Sequence, residues 1–216
     1  MEMQLRVTEG WLKGEMTSPP HPRGVVLFAH GSGSSRFSPR NQAVAASLQA
    51  RGMATLLMDL LTPTEARDTA KVFDSALLAK RLLSAVAWVR EQPGLQRLPL
   101  GFFGASTGAA AALTAAAERP ELVSAIVSRG GRPDLALQLP DVRAPTLLIV
   151  GGEDTVVIEL NHRALAMLTC EKNLELVPGA THLFEEPGAL EQVAALAGAW
   201  FAHYLHGGTS ATHHSL

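Results

Sequence analysis

The chain has 216 residues, with 18 Lys and Arg against 20 Asp and Glu; a formal charge of −2 excludes the dense basic face a nucleic-acid binder needs to displace counterions. A hydrophobic share of 47% and a charged share of 18% belong to an ordinary globule with one substantial core. No run approaches the roughly 20 apolar residues of a membrane span, and a single Cys170 excludes an internal disulfide, so it reads as a structural thiol in a reducing compartment.

The chain starts Met1-Glu2-Met3-Gln4-Leu5-Arg6, without a basic head and apolar stretch, so the expected location is the cytoplasm. Residues 4–8 and 11–16 read as two strands joined at Glu9-Gly10, a hairpin-like start, and Ser18-Pro19-Pro20-His21-Pro22 breaks the pattern. Gly24-Val25-Val26-Leu27-Phe28-Ala29-His30 is a continuous apolar run of the kind a parallel strand covered on both faces requires. A helix follows over 41–51, then a strand over 54–60 and a long amphipathic helix over 74–91 ended by Pro93-Gly94.

The alternation continues with a strand over 98–103, a helix over 107–118 and a strand over 123–128. Beyond it lie a strand over 145–150, a helix over 159–168, a strand over 174–177 and a last helix over 190–204. Strands alternating with helices predict an α/β fold, a mostly parallel central sheet with helices on both faces. Residues 1–206 are expected to form one domain and 207–216 a flexible tail. Neither His213 with His214 nor His203 with His206 has a carboxylate or cysteine to complete a metal set, so no metal is expected.

Between the strand at 98–103 and the helix at 107–118 stands Gly104-Ala105-Ser106-Thr107-Gly108, the pattern of a nucleophile elbow. A serine hydroxyl attacks a carbonyl only when it projects toward a base, and the flanking glycines remove Cβ atoms that would collide in so sharp a turn. The base and its orienting acid are expected downstream, at the ends of later strands. Gly151-Gly152-Glu153-Asp154 offers Asp154 as the acid, with Glu153 the runner-up, and Pro178-Gly179-Ala180-Thr181-His182 offers His182 as the base. Negative charge on the attacked oxygen needs preplaced donors. The main-chain N–H groups of Thr107 and of Ser32, in His30-Gly31-Ser32-Gly33, are the candidates, with Gly33 second to Ser32. His30 ends a buried strand and reads as structural.

These four segments resemble the α/β-hydrolase superfamily across nearly the whole chain. The segments Ser32 to Arg36, Asp59-Leu60-Leu61-Thr62 and Ser128-Arg129-Gly130-Gly131-Arg132-Pro133 are similar to those of the dienelactone hydrolase-like branch. That family carries cysteine at the elbow where this chain has Ser106, so the resemblance implies a serine esterase acting on small to medium esters through an acyl-enzyme, with no cofactor. It also admits an acyltransferase, a peptidase or a non-catalytic binding protein on the same fold. Only residues 130–144 lie where many relatives insert a helical cap, so no lid is expected. Arg36 and Arg129 are candidates to bind a substrate carboxylate, or else to pair with Asp59 or Asp134. The expected partner is a small-molecule ester, with no nucleic acid or membrane, in a monomer or homodimer.

Overall fold

The computed structural model describes residues 1–206, and the tail expected at 207–216, with its two histidines, lies outside the described residues. Eight strands form one sheet: β1 (Glu2–Val7), β2 (Gly10–Thr17), β3 (Gly24–Ala29), β4 (Met53–Met58), β5 (Leu100–Ala105), β6 (Ala125–Arg129), β7 (Thr146–Gly151) and β8 (Lys172–Val177). Their order is β1-β2-β4-β3-β5-β6-β7-β8. The first hairpin lies antiparallel along β4, and every later pairing is parallel.

Six helices connect them: α1 (Pro39–Ala50), the single turn α2 (Thr69–Val72), α3 (Ser75–Glu91), α4 (Thr107–Glu118), α5 (Thr155–Met167) and α6 (Ala189–Tyr204). Side-chain alternation along the strands divides the core in two. In β3, Val25, Leu27 and Ala29 face α3, α4 and α5, while Val26 and Phe28 face α1 and α6. This is the α/β-hydrolase fold. Residues 130–144 carry only the short turns Pro133–Leu135 and Leu139–Asp141, and no cap domain is present among the described residues. No described helix is long and apolar enough to cross a membrane.

Observed bounds differ from the expected ones chiefly at α5, which begins at Thr155 rather than 159. Thr155-Val156-Val157-Ile158 is a β-branched run of low helix propensity, but Val157 is buried and packing outweighs that preference. The turn α2 and the Glu65–Arg67 turn before it were not expected. Their signal is short and polar, and Glu65 is buried there by its ion pair to Arg81 at 2.7 Å.

The first turn of α4 lies directly on the end of β3. A Cβ added to Gly108 would run into the Ala29 carbonyl, and one added to Gly104 would stand 2.5 Å from the Ala109 Cα. Both neighbours are backbone and have no rotamer with which to yield. Gly108→Ala is therefore expected to lower stability by about 3 kcal/mol or more, at the upper end for overpacking. Equilibrium denaturation reads this as a lower midpoint, and an unchanged midpoint would contradict the close approach.

Candidate active site

Ser106 occupies the turn between β5 and α4 with φ 51° and ψ −121°, a conformation disfavoured for any residue with a Cβ. Three backbone hydrogen bonds hold it. The Ser106 N–H donates to the Arg129 carbonyl at 3.1 Å, and the Ser106 carbonyl accepts from Arg132 N–H at 3.0 Å and Ala109 N–H at 3.1 Å. The Gly31 loop comes so near that a Cβ on Gly31 would stand 3.0 Å from the Ser106 Cβ. The first amides of α4 have no carbonyl one turn back, so Thr107 N–H opens a helix whose dipole favours negative charge there.

Asp154 and His182 arrive from the ends of β7 and β8. The two loops are tied by Gly152 N–H to the Val177 carbonyl at 2.9 Å and Glu153 N–H to the Ala180 carbonyl at 3.0 Å. His182 Nδ1 lies 2.7 Å from Asp154 Oδ2. Asp154 also stands at the N-cap of α5, yet its side chain makes no capping bond. Of the two adjacent acids, it is Asp154 that meets the imidazole, while Glu153 is exposed. A carboxylate so placed fixes the proton on Nδ1 and leaves Nε2 free to accept another. His182 and Ser106 line the same cleft, of about 280 Å³.

Two expected positions behave differently. The Ser32 N–H, expected to be free for a substrate oxygen, donates to Thr107 Oγ1 at 2.8 Å. Glycine spacing shows that backbone fits there, but a side-chain acceptor reaching across from the elbow leaves no sequence signal. Arg36, expected to face a substrate, is engaged by Asp59 through both its backbone N–H, at 2.8 Å, and its guanidinium. It also lies over the Phe37 ring at 4.1 Å.

Arg129 takes the opposite course. Asp134 is held by Arg132 through two bonds of 2.8 Å, so it is not Arg129's partner. Arg129 is 8% exposed, and its Nε and Nη1 have no hydrogen-bond partner. Burial, with the neighbouring Arg40 charge second, pushes its guanidinium down to about 10, which leaves it cationic at neutral pH. Arg40, which the sequence did not single out, lines the same cleft. An arginine in the first turn of a helix ordinarily reads as solvated surface, so the sequence held no signal for it.

His30 is structural in its bonding. Nδ1 lies 2.9 Å from the Gly31 carbonyl, and Nε2 accepts Leu60 N–H at 3.1 Å, which ties the loop after β3 to the loop after β4. Cys170 is half-buried, and burial pushes its thiol up, away from the reactive thiolate.

The elbow, the acid-histidine pair and the uncapped sheet define a member of the α/β-hydrolases. Residues 12–204 match the model of the dienelactone hydrolase family, and the chain belongs to that family. The crystal structure of a dienelactone hydrolase from Anabaena variabilis is similar, with 56% identity and a TM-score of 0.90 over 95% of this chain and 98% of that one. A protein from Xanthomonas campestris, described as an α/β serine hydrolase without lid, shares the fold at 20% identity and a TM-score of 0.77, over 95% of this chain and 94% of that one. A Mycobacterium tuberculosis protein named "Putative phosphoribosyl transferase" is 60% identical over 195 residues, 90% of this chain but 44% of its own length. The chain thus spans less than half of that curated relative.

Burial holds the His30 imidazole below its ordinary value of 6.5. The unfolded chain therefore takes up this proton first, so the contribution is complete above that value and is lost as pH falls from there toward the folded-state value. Denaturation midpoints compared at about pH 7.5 and about pH 5 should fall further in the parent than in His30→Gln, which has nothing to titrate. Equal falls would remove His30 from the pH response.

Proposed function

We propose that the protein is a serine carboxylesterase cleaving small to medium esters through an acyl-enzyme. The observation that carries this reading is the 2.7 Å bond between His182 Nδ1 and Asp154 Oδ2 beside a serine in an elbow turn. Ser106 Oγ attacks the ester carbonyl while His182 Nε2 takes its proton, and Asp154 holds the tautomer and balances the imidazolium charge. The tetrahedral oxyanion forms at the start of α4, where Thr107 N–H meets it. Ser32 N–H joins as the second donor when Thr107 Oγ1 turns aside, and each such donor is worth about 10²–10³ in rate. His182 then returns the proton to the leaving alcohol, and a water activated by the same imidazole releases the acid. An uncapped cleft leaves water access to the acyl-enzyme, which supports hydrolysis over acyl transfer.

The family name implies a lactone, itself a cyclic ester, and Ser106 serves that chemistry as well as open-chain esters. The transferase name belongs to a protein more than twice as long as the stretch aligned with it, and an acid-histidine-serine site offers nothing to phosphoribosyl transfer.

The test is p-nitrophenyl ester hydrolysis across acyl lengths, with labelling by a fluorophosphonate. The parent should label at Ser106, and Ser106→Ala should lose both labelling and turnover. Asp154→Asn should lower kcat about 10⁴-fold with KM little changed, since the wrong tautomer costs that much in a related constellation. Glu153→Ala should stay within about threefold, as an exposed side chain outside the proton path. Turnover surviving Ser106→Ala would move the chemistry elsewhere.

A further inference from the structure

Beside Thr107 lies a second cavity, of about 200 Å³, next to the cleft that holds Ser106 and His182. Apolar side chains line it: Leu60 from the loop after β4, Ala66, Val72 of α2 and Leu78 of α3. No Asp, Glu, Lys or Arg among the described residues does so. His30 borders it too, but both ring nitrogens are engaged, one by the Gly31 carbonyl at 2.9 Å and the other by Leu60 N–H at 3.1 Å. Gly31, Ser32 and Ser34 border this cavity and the catalytic cleft alike.

The outer wall of the cavity is a segment that adds nothing to the core. Residues 66–70 are exposed and 71–72 half-buried. The segment is nevertheless pinned from its start, because the buried Glu65 accepts Thr62 N–H at 2.9 Å and Arg81 Nη2 of α3 at 2.7 Å. Ala66 N–H donates to the Thr62 carbonyl at 2.9 Å. A buried ion pair is weak support for stability, since desolvation offsets its attraction, yet this one fixes where the wall stands. An apolar recess behind a pinned surface segment has the form of a small-molecule site.

Which half of an ester enters it follows from the chemistry at Ser106, and so rests on the esterase reading above. The attacked carbonyl oxygen settles between Thr107 N–H and Ser32 N–H, and both residues line this cavity. The leaving oxygen must stand near His182, which does not. We infer that the cavity is the acyl subsite, taking an aliphatic acyl chain of up to about eight carbons, with Ala66 and Val72 setting its length. The size follows from volume: an apolar cavity of about 150 Å³ holds a six-carbon ring, so about 200 Å³ takes roughly eight carbons. The 2.8 Å bond from Ser32 N–H to Thr107 Oγ1 is made at the border of the two spaces. The turn of that hydroxyl, which frees the amide for the oxyanion, therefore also opens the way between them.

The test measures kcat/KM for p-nitrophenyl esters with acetyl, butyryl, hexanoyl, octanoyl and dodecanoyl chains. In the parent, hexanoyl should exceed acetyl by about 10-fold or more, since one fully buried methylene is worth about fourfold, and dodecanoyl should fall below octanoyl. Ala66→Phe alters an exposed position and leaves the core untouched; it should reduce the hexanoyl-to-acetyl ratio by about 10-fold while acetyl turnover stays within about threefold. Val72→Phe should act in the same direction, and Val72→Ala should lengthen the best chain by about two carbons. Lengthening the alcohol of an acetate from ethyl to hexyl should change kcat/KM by less than about threefold in parent and variants alike.

An unchanged ratio in both Ala66→Phe and Val72→Phe overturns the subsite, as does a parent for which hexanoyl gains nothing over acetyl. A gain along the alkyl acetates that Ala66→Phe abolishes overturns the assignment of halves, because it places the alcohol in this cavity. Failure of the esterase reading is distinct, since it appears as acetyl ester hydrolysis that persists in Ser106→Ala.

Discussion

The arrangement of the site depends on how closely the backbone of α4 and β3 can approach. Gly104 and Gly108 let the helix begin against the strand ends, and only then does Ser106 stand at φ 51° with its side chain raised from the sheet. A left-handed serine is locally unfavourable, by about 1–3 kcal/mol, and persists because its surroundings over-determine it. Backbone hydrogen bonds to Arg129, the last residue of β6, and to Arg132 in the loop after it provide that over-determination. Arg129 is itself the buried cation, so the geometry of the serine and the position of that cation share one support.

From this turn the rest of the cleft follows by sheet order. Strands β5, β6, β7 and β8 are neighbours in sequence and in space, so the loops at their ends stand side by side. The serine, the arginine, the acid and the histidine come one from each. Cross-links between the β7 and β8 loops keep Asp154 and His182 in register without help from a helix cap. On the other side of β5, the loop after β3 is fastened by His30 to Leu60 and by Ser32 to Thr107. It borders both the cleft that holds Ser106 and His182 and a second cavity beside Thr107.

Much of this was legible in the residues themselves. Continuous apolar runs marked the buried parallel strands, and glycines beside Ser106 marked the elbow, because close backbone approach excludes a Cβ whatever the context. The order serine, acid, histidine at successive strand ends marked three chemical positions. The choice between Glu153 and Asp154 was not legible, since adjacent side chains in a turn diverge by an amount that only the turn's dihedrals set. Nor was the fate of the arginines. Arg36 has no acid near it in sequence and pairs with the distant Asp59, whereas Arg129 and Arg132 both lie close to Asp134, which takes Arg132 and leaves Arg129 Nε and Nη1 without a partner.

Sequence alone therefore determined what depends on short-range sterics and periodicity: the layered α/β architecture, the sharp turn at Ser106 and the absence of room for a cap between β6 and β7. Tertiary structure alone decided what depends on side chains from distant segments meeting: Asp154 rather than Glu153 beside His182, Thr107 Oγ1 on the Ser32 amide, and Arg40 of α1 beside Arg129 of β6. The physical reason is that an apolar pattern reports which face of an element is buried, whereas a polar contact is decided by direction and distance across the sheet, which no local pattern encodes.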